Sequence, residues 1–159
     1  STGVLFWGNV GTGKSYIAGC IANALLDKGV PVMMTNFARL LNRLTDMYSG
    51  DRNAYINSFN AYPLLIIDDL RIERNSEFAR EQVFHIIDSR YRSQLPMIVI
   101  TNLTVKELKD PEDLARARIY DRVLERCVPI RVNDQNVRKL IAAQNISMAQ
   151  KLLGGEVTA

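Results

Sequence analysis

The chain has 159 residues, of which 47% are hydrophobic and 23% are charged, and its net charge at pH 7 is +3. This composition is typical of one globular domain and excludes an intrinsically disordered chain. No apolar run approaches the length that spans a membrane, so we expect residues 1–159 to form one cytoplasmic domain with no membrane partner. Two distant cysteines and one histidine are too few for a metal-binding cluster, and the positive charge permits contact with nucleic acid without demonstrating it.

The first distinctive motif is Gly8–Ser15, which reads Gly-Asn-Val-Gly-Thr-Gly-Lys-Ser and fits the phosphate-binding loop pattern. A predicted strand, Val4–Trp7, precedes it and a predicted helix, Tyr16–Lys28, follows it. The glycines allow close approach of the backbone to phosphate, Lys14 would reach the β- and γ-phosphates, and the Ser15 hydroxyl would join a magnesium shell. The motif predicts binding of a nucleoside triphosphate with Mg²⁺ through Gly8, Asn9, Val10, Gly11, Thr12, Gly13, Lys14, Ser15 and Tyr16.

Apolar runs alternate with helical patterns along the chain, which predicts a parallel sheet with helices on both faces. Three runs are continuously apolar, as expected for strands that are buried on both faces. The other two contain Pro31 and Pro129, and proline within a strand indicates the edge of a sheet. In chain order the predicted strands are Val4–Trp7, Pro31–Thr35, Leu64–Ile67, Met97–Thr101 and Val128–Val132.

Two helical patterns separate the second and third predicted strands, where a simple crossover needs one helix. They are Phe37–Tyr48, for which Asn36 is an expected N-cap, and Asp51–Phe59. Ser49-Gly50 divides them.

Three later helices are predicted from capping residues and apolar spacing. The first follows Ser76 and carries His85, which we expect to be a surface or packing residue. The second starts at Asp110-Pro111, a pair that suits a cap and a first turn. The third runs from about Gln135 to Leu153 and stops at Gly154-Gly155.

Polar residues follow two of the apolar strands. Asp68 and Asp69 end the third strand, and strands in such sheets present their carboxyl ends to the ligand crevice. Asp68 would hold Mg²⁺ and Asp69 would orient and polarise the attacking water, with Glu73 able to share that role. Asn102, after the fourth strand, could contact the γ-phosphate or the water. The alternative for each is a turn-forming residue that closes a strand.

Three arginines, Arg118, Arg122 and Arg126, are spaced by four and therefore line one helix face. Like charges at that spacing repel, so the stripe is easier to explain if it meets an anion such as the γ-phosphate of a neighbouring subunit. The alternative is a solvated face in which Arg118 and Arg122 pair with Asp121 and Glu125. Arg138, at the start of the last helix, could act on nucleotide within its own chain.

Together these residues resemble the AAA+ domain of bacterial DnaC/DnaI-type replicative helicase loaders and of their relatives, the IstB transposition ATPases. The resemblance spans essentially the whole chain. The phosphate-binding loop is shared by many ATPases, whereas the combination of this loop with the later motifs, and their order along the chain, is more specific to this family. The segments that carry it are Gly8–Ser15, Leu64–Leu70, Glu73-Arg74, Thr101-Asn102 and Arg118–Cys127.

The resemblance implies an α/β fold, the three-layer P-loop NTPase of the AAA+ kind. It implies a five-stranded parallel sheet of order 5-1-4-3-2, and we expect the single C-terminal helix of this chain to form a reduced lid. By the same likeness, Lys14, Ser15 and Asp68 bind nucleotide and Mg²⁺. The remaining roles fall to Asp69 as catalytic carboxylate, Asn102 as first sensor, Arg122 or Arg126 as arginine finger and Arg138 as second sensor.

Two departures from the family pattern affect these expectations. Many AAA+ ATPases have glutamate at the position of Asp69, so we expect slow hydrolysis in isolation. The C-terminal part is one helix rather than a full lid domain, which leaves the role of Arg138 open.

The resulting hypothesis is an ATP-binding and ATP-hydrolysing module of a DNA replication helicase loader. It would self-associate on nucleotide binding, contact single-stranded DNA and act on a hexameric replicative helicase. The family's helicase-binding region is N-terminal, so we expect this chain to be a fragment that lacks it. The alternatives are an IstB-like ATPase that favours duplex DNA and a transposase, a small P-loop kinase, and a scaffold that barely hydrolyses ATP.

Overall fold

Five parallel strands form a single sheet in the computed structural model, which describes residues 2–71 and 76–153. The sheet order is β2-β3-β4-β1-β5, which confirms the expected order 5-1-4-3-2 read from the opposite edge. The two proline-marked strands form its edges, as predicted, although Pro31 itself lies just before β2. The strands are β1 (Gly3–Trp7), β2 (Val32–Asn36), β3 (Leu64–Asp68), β4 (Met97–Thr101) and β5 (Cys127–Arg131).

Helices cover both faces of this sheet and complete three layers. One face carries α1 (Lys14–Asp27) and the start of α7 (Asp134–Leu153). Among the described residues, the opposite face carries five α-helices, which are α2 (Phe37–Thr45), α3 (Ser49–Ser58), α4 (Glu77–Ser93), α5 (Val105–Lys109) and α6 (Leu114–Arg126). No helix within the described ranges is long and apolar enough to cross a membrane.

The apolar strands supply two hydrophobic cores because successive side chains point to opposite faces of a sheet. Residues such as Leu5, Leu65 and Val99 pack against the five-helix layer. Their neighbours Phe6, Ile66 and Ile98 pack against α1 and α7. Continuously apolar central strands are therefore required, since each strand must supply both cores.

Local capping explains most helix starts. Asn36 accepts a hydrogen bond from the Arg39 backbone N–H at 2.8 Å, and Ser76 accepts one from Ala79 at 3.1 Å. Both were predicted as caps. The break between α2 and α3 falls before Ser49 rather than at Ser49-Gly50, because α3 already begins at Ser49.

The predicted helix start at Asp110-Pro111 is wrong. Asp110 is the C-cap of α5, a short helix that the sequence analysis missed and that begins with a reciprocal capping box between Thr104 and Glu107. The next helix, α6, starts at Leu114, because Asp113 caps it by accepting a hydrogen bond from the Arg116 N–H at 2.8 Å. The predicted stop at Gly154-Gly155 lies outside the described residues.

A buried arginine fastens the end of the sheet opposite the strands' carboxyl ends. Arg90 of α4 is 1% exposed, and burial lowers its pKa to about 10. Its guanidinium donates to Pro96 O from Nε (3.1 Å) and Nη2 (2.8 Å), to Pro63 O from Nη2 (3.0 Å) and to Phe59 O from Nη1 (3.2 Å). These carbonyls precede β3 and β4, so one side chain ties α4 to the entry of both strands.

We predict that Arg90→Met lowers the free energy of unfolding by about 3–5 kcal/mol, because one buried carbonyl and two part-buried carbonyls lose their donor. Urea unfolding followed by circular dichroism measures the change. The matched control is Arg92→Gln in the same helix, whose side chain is 75% exposed and which should cost under about 1 kcal/mol. Equal stability of Arg90→Met and the control would contradict the fastening role.

Candidate nucleotide-binding site

A cavity of about 630 Å³ opens at the carboxyl edge of the sheet. This is the edge at which ligands bind in open α/β sheets, and the volume suits a nucleotide-sized ligand. Most of its lining was predicted as site residues from sequence. The lining residues are Val10, Gly11, Gly13, Lys14, Ser15, Asn36, Ala38, Asp68, Asp69, Ile100, Thr101 and Asn102.

The loop between β1 and α1 has the geometry of a phosphate cradle. Gly11 and Gly13 adopt φ angles of 77° and 85°, a left-handed conformation that favours glycine. Lys14 folds back over the loop, and its Nζ donates to Gly8 O at 2.9 Å and to Asn9 O at 2.7 Å. Lys14 is 6% exposed, and burial lowers its pKa while the nearby Asp68 opposes that shift. A desolvated ammonium group at the loop is suited to an anionic ligand.

Neighbouring elements hold the loop in place. The Thr12 hydroxyl donates to Asn9 O at 2.9 Å. A Cβ atom on Gly8 would lie 2.5 Å from Val132 O, and one on Gly13 would lie 2.7 Å from Val137 Cγ2. The loop is therefore packed between the residue after β5 and the first turn of α7, and only glycine fits at these two positions.

Ser15 and Asp68 form the polar pair expected at a magnesium site. The Ser15 hydroxyl donates to Asp68 Oδ2, which joins the start of α1 to the end of β3. A hydroxyl beside a carboxylate is a set of hard oxygen donors, which Mg²⁺ prefers together with phosphate and water. These residues fit the cation that the loop motif implies. Within the described ranges, no three His, Cys, Asp or Glu side chains cluster as a separate metal site.

Asp69 lines the cavity in a constrained turn. Its φ angle is 61°, a region that aspartate tolerates better than most residues. The turn is fixed by Asp68 Oδ1, which accepts from the Asp69 N–H at 2.7 Å, and by Leu70, whose N–H donates to Ile100 O at 2.8 Å. Both Asp69 carboxylate oxygens accept hydrogen bonds from Arg71, each at 2.9 Å. Aspartate, which is shorter than glutamate, therefore suits the left-handed backbone conformation at this position.

The cavity also contains residues that the sequence analysis did not assign to the site. Asn36, predicted only as a cap, lines it together with Ala38 and Thr101. Asn36 is paired in register with Asp68 across β2 and β3. The available signal was a polar residue directly after an apolar strand, the same signal that identified Asn102. Glu73, the second candidate carboxylate, lies outside the described residues.

Other predicted residues lie apart from the cavity lining. The Tyr16 hydroxyl donates to Gln144 of α7, and Arg138 follows Val137 in that helix. The candidate fingers Arg122 and Arg126 belong to α6, on the sheet face opposite α1. Arg122 pairs with Asp88 at 2.8 Å rather than with Glu125, so the intrahelical pairing considered above is wrong for this residue.

Comparison with known proteins decides the family. The model of the IstB-like ATP binding protein family matches residues 1–145. The chain belongs to the IstB-like ATP-binding family. With its AAA+ parallel sheet and its phosphate-binding loop, the chain is a nucleotide-binding member of that family.

Two curated relatives are replicative helicase loaders. The chain is 29% identical over 150 residues to the loader DnaI of Bacillus subtilis, an alignment that covers 86% of this chain and 47% of that protein. It is 27% identical over 122 residues to the loader DnaC of Escherichia coli, which covers 75% of this chain and 49% of DnaC. The chain therefore spans about half the length of these relatives.

A solved structure confirms the fold. The replication initiator DnaA bound to AMPPCP and single-stranded DNA superposes with a TM-score of 0.66 at 20% identity. The superposition covers 99% of this chain and 47% of the DnaA chain. The chain therefore has the fold of about half of that DnaA chain.

We predict that two substitutions in the cavity separate nucleotide binding from turnover. Lys14→Ala should weaken ATP binding about 100-fold because charge-assisted hydrogen bonds to phosphate are lost. Asp69→Ala should change affinity less than about 3-fold but lower turnover by about 10²–10⁴, the usual range for a lost general base. Fluorescent-nucleotide titration and phosphate release measure the two effects.

The control for both variants is Asp27→Ala, since Asp27 ends α1 at the far side from the cavity. Unchanged turnover in Asp69→Ala would refute the assignment of Asp69 and make Glu73 the next residue to test.

Proposed function

We propose that this chain is the ATP-binding and ATP-hydrolysing module of a replicative helicase loader. The observation that carries the proposal is the convergence of Lys14, Ser15, Asp68, Asp69 and Asn102 around one cavity in a chain related to DnaI and DnaC. The module would work in the cytoplasm with a hexameric replicative helicase, engaged through a region beyond the matched half of those relatives.

The cavity residues divide the chemistry of ATP hydrolysis among them. Lys14 and the loop N–H groups bind the phosphates, and Ser15 with Asp68 would hold Mg²⁺, which neutralises phosphate charge when bound. Asp69 orients and polarises the attacking water, and Asn102 contacts the γ-phosphate or that water. Arg71 competes for the Asp69 carboxylate, so slow basal hydrolysis is the expected behaviour of the isolated module.

Self-association would complete the site. Arg122 and Arg126 are not among the residues that line the cavity of their own chain, and α6 carries them on the sheet face opposite α1. An arginine from one copy could therefore stabilise transition-state charge on nucleotide bound to the next copy, a contribution worth about 10³–10⁵ in rate where it has been measured.

Contact with single-stranded DNA is supported by the exposed face of α2. Arg39 and Arg43 are four residues apart and line a groove of about 450 Å³ with Asn42 and Tyr55. The Arg43 guanidinium lies 5.3 Å from the centre of the Tyr55 ring. Basic side chains for phosphates beside an aromatic ring for bases are the usual components of a single-strand site, and Asp46 at the groove's end limits its positive charge.

A second candidate function is a transposition-associated ATPase of the IstB kind. The observation that favours it is the description of the matching family as IstB-like. Such a module would respond to duplex DNA and to a transposase rather than to single strands and a helicase. The kind of DNA that stimulates hydrolysis distinguishes the two candidates.

We expect the ATPase rate per subunit to rise with protein concentration and to rise further with single-stranded DNA. An inter-subunit site forms only when copies meet, and DNA binding would favour that meeting. Phosphate release across a 100-fold range of concentration, with poly-dT or with a duplex, measures both dependences. A flat rate that ignores DNA would contradict the loader proposal, and stimulation by duplex alone would favour the IstB-like candidate.

Arg39→Glu should weaken binding of poly-dT and lower the slope of log affinity against log salt by about 1, because one phosphate contact is lost. Fluorescence anisotropy at several salt concentrations measures both quantities. The matched control is Lys28→Glu, which makes the same charge change after the end of α1. Equal losses in the two variants would mean that net charge, rather than the α2 groove, governs DNA binding.

A further inference from the structure

The rim between α4 and α6 is a ladder of arginines and aromatic rings. Arg118 lies 4.4 Å from the ring centre of Phe84, and Arg126 lies 4.8 Å from that of Tyr91. Arg122 lies between them, 5.7 Å from Phe84 and 4.5 Å from Tyr91. The arginines are four residues apart on α6, and the two aromatic residues are seven apart on α4. The rings therefore lie between neighbouring arginines and separate their positive charges.

A buried carboxylate lies under the middle of this ladder. The Asp88 side chain is 10% exposed, and its Oδ1 lies 2.8 Å from Arg122 Nε while its Oδ2 lies 2.8 Å from Arg92 Nε. Oδ1 makes no aligned hydrogen bond within the described ranges, so the contact with Arg122 is mainly one of opposite charges. A carboxylate removed from water needs such cations, and Arg122 is the one that points along the ladder.

The surroundings of Arg122 differ from those of Arg126. Arg126 Nη2 donates to Tyr91 O at 3.1 Å, which uses its outer edge to tie α6 to α4. Arg122 is 30% exposed and is contacted through its inner Nε, and its two Nη groups form no hydrogen bond with any described residue. Arg122 is therefore fixed in position while its outer edge remains available to an anion.

We propose that Asp88 is a positioning residue for Arg122, holding it ready to reach the γ-phosphate of nucleotide bound to a second copy of this chain. The inference rests on the proposed function, and it selects Arg122 over Arg126 as the residue that acts between subunits. A guanidinium held by a carboxylate and two rings keeps one orientation, whereas an unsupported one must be ordered at each encounter.

The first measurement is the ATPase rate of Asp88→Asn at concentrations where the wild-type rate has risen. We expect the stimulated turnover to fall about 10- to 100-fold, as small misplacements of catalytic groups do, with ATP affinity unchanged. The control is Arg92→Gln, which removes the other partner of Asp88 and should leave turnover within about 2-fold of wild type. Stimulated turnover of Asp88→Asn that equals the wild-type value overturns the inference. Turnover above the wild-type value also overturns it, because it would mean that Asp88 restrains Arg122.

A double-mutant cycle separates positioning from a general effect on the fold. If Asp88 acts through Arg122, Asp88→Asn causes no further loss of turnover in an Arg122→Ala background. A further loss of the same size in that background overturns the inference. Asp88→Glu, which keeps the charge and moves the carboxylate by one methylene, replaces Asp88→Asn if that variant does not fold, and the same outcomes apply.

Mixing two defective variants supplies a readout that a structural role would not change. Asp88→Asn keeps its nucleotide cavity, and Lys14→Ala keeps its Arg122 rim, so a mixture should exceed the sum of the separate rates at least about 3-fold. If the ATPase rate of the mixture does not exceed the sum of the separate rates, while the wild-type rate per subunit does rise with concentration, this inference is overturned and the proposed function is not. A wild-type rate that stays flat with concentration overturns the proposed inter-subunit site and this inference with it.

Discussion

Parallel pairing of the central strands is the constraint on which the rest of the molecule depends. Because β1 and β3 both pair with β4 in parallel, Trp7, Thr101 and Asp68 end their strands at one edge of the sheet. Polar residues that are far apart in sequence then meet there without any segment having to reach across the fold. The phosphate loop, the Asp68-Asp69 turn and Asn102 all line one cavity for this reason, and each is positioned by a strand buried on both faces.

What the sequence could predict follows from how local each signal is. The phosphate loop, the central strands and the caps at Asn36 and Ser76 are defined by residues within a few positions of one another, and the structure confirms them. The start of α6 was predicted wrongly because Asp110-Pro111 is a strong local signal. Two better-satisfied caps, the Thr104–Glu107 box and Asp113, compete with it on either side.

Interactions between distant segments could not be predicted from such local sequence signals. Nothing near Arg122 in sequence indicates Asp88, which comes from another helix, and the local sequence suggested Glu125, three positions along, instead. In the structure Glu125 accepts a hydrogen bond from the Tyr91 hydroxyl at 2.7 Å. Asn36 likewise carried a correct local prediction, while its place in the cavity depends on its register with Asp68. Arg90 gave no local signal at all, because its partners are backbone carbonyls of two other segments.

The packing of Val137 against Gly13 has a thermodynamic consequence. The first turn of α7 occupies the space that a side chain on the phosphate loop would need, and the Tyr16–Gln144 hydrogen bond holds α7 against α1 further along. If the loop adjusts when phosphate enters, the docking free energy of α7 must change with it. By linkage, nucleotide binding and the docking of α7 affect each other by the same factor. An interaction that separates α7 from α1 therefore changes nucleotide affinity by the factor by which bound nucleotide changes the equilibrium constant for that separation. A single helix can thus report the state of the cavity without touching the nucleotide.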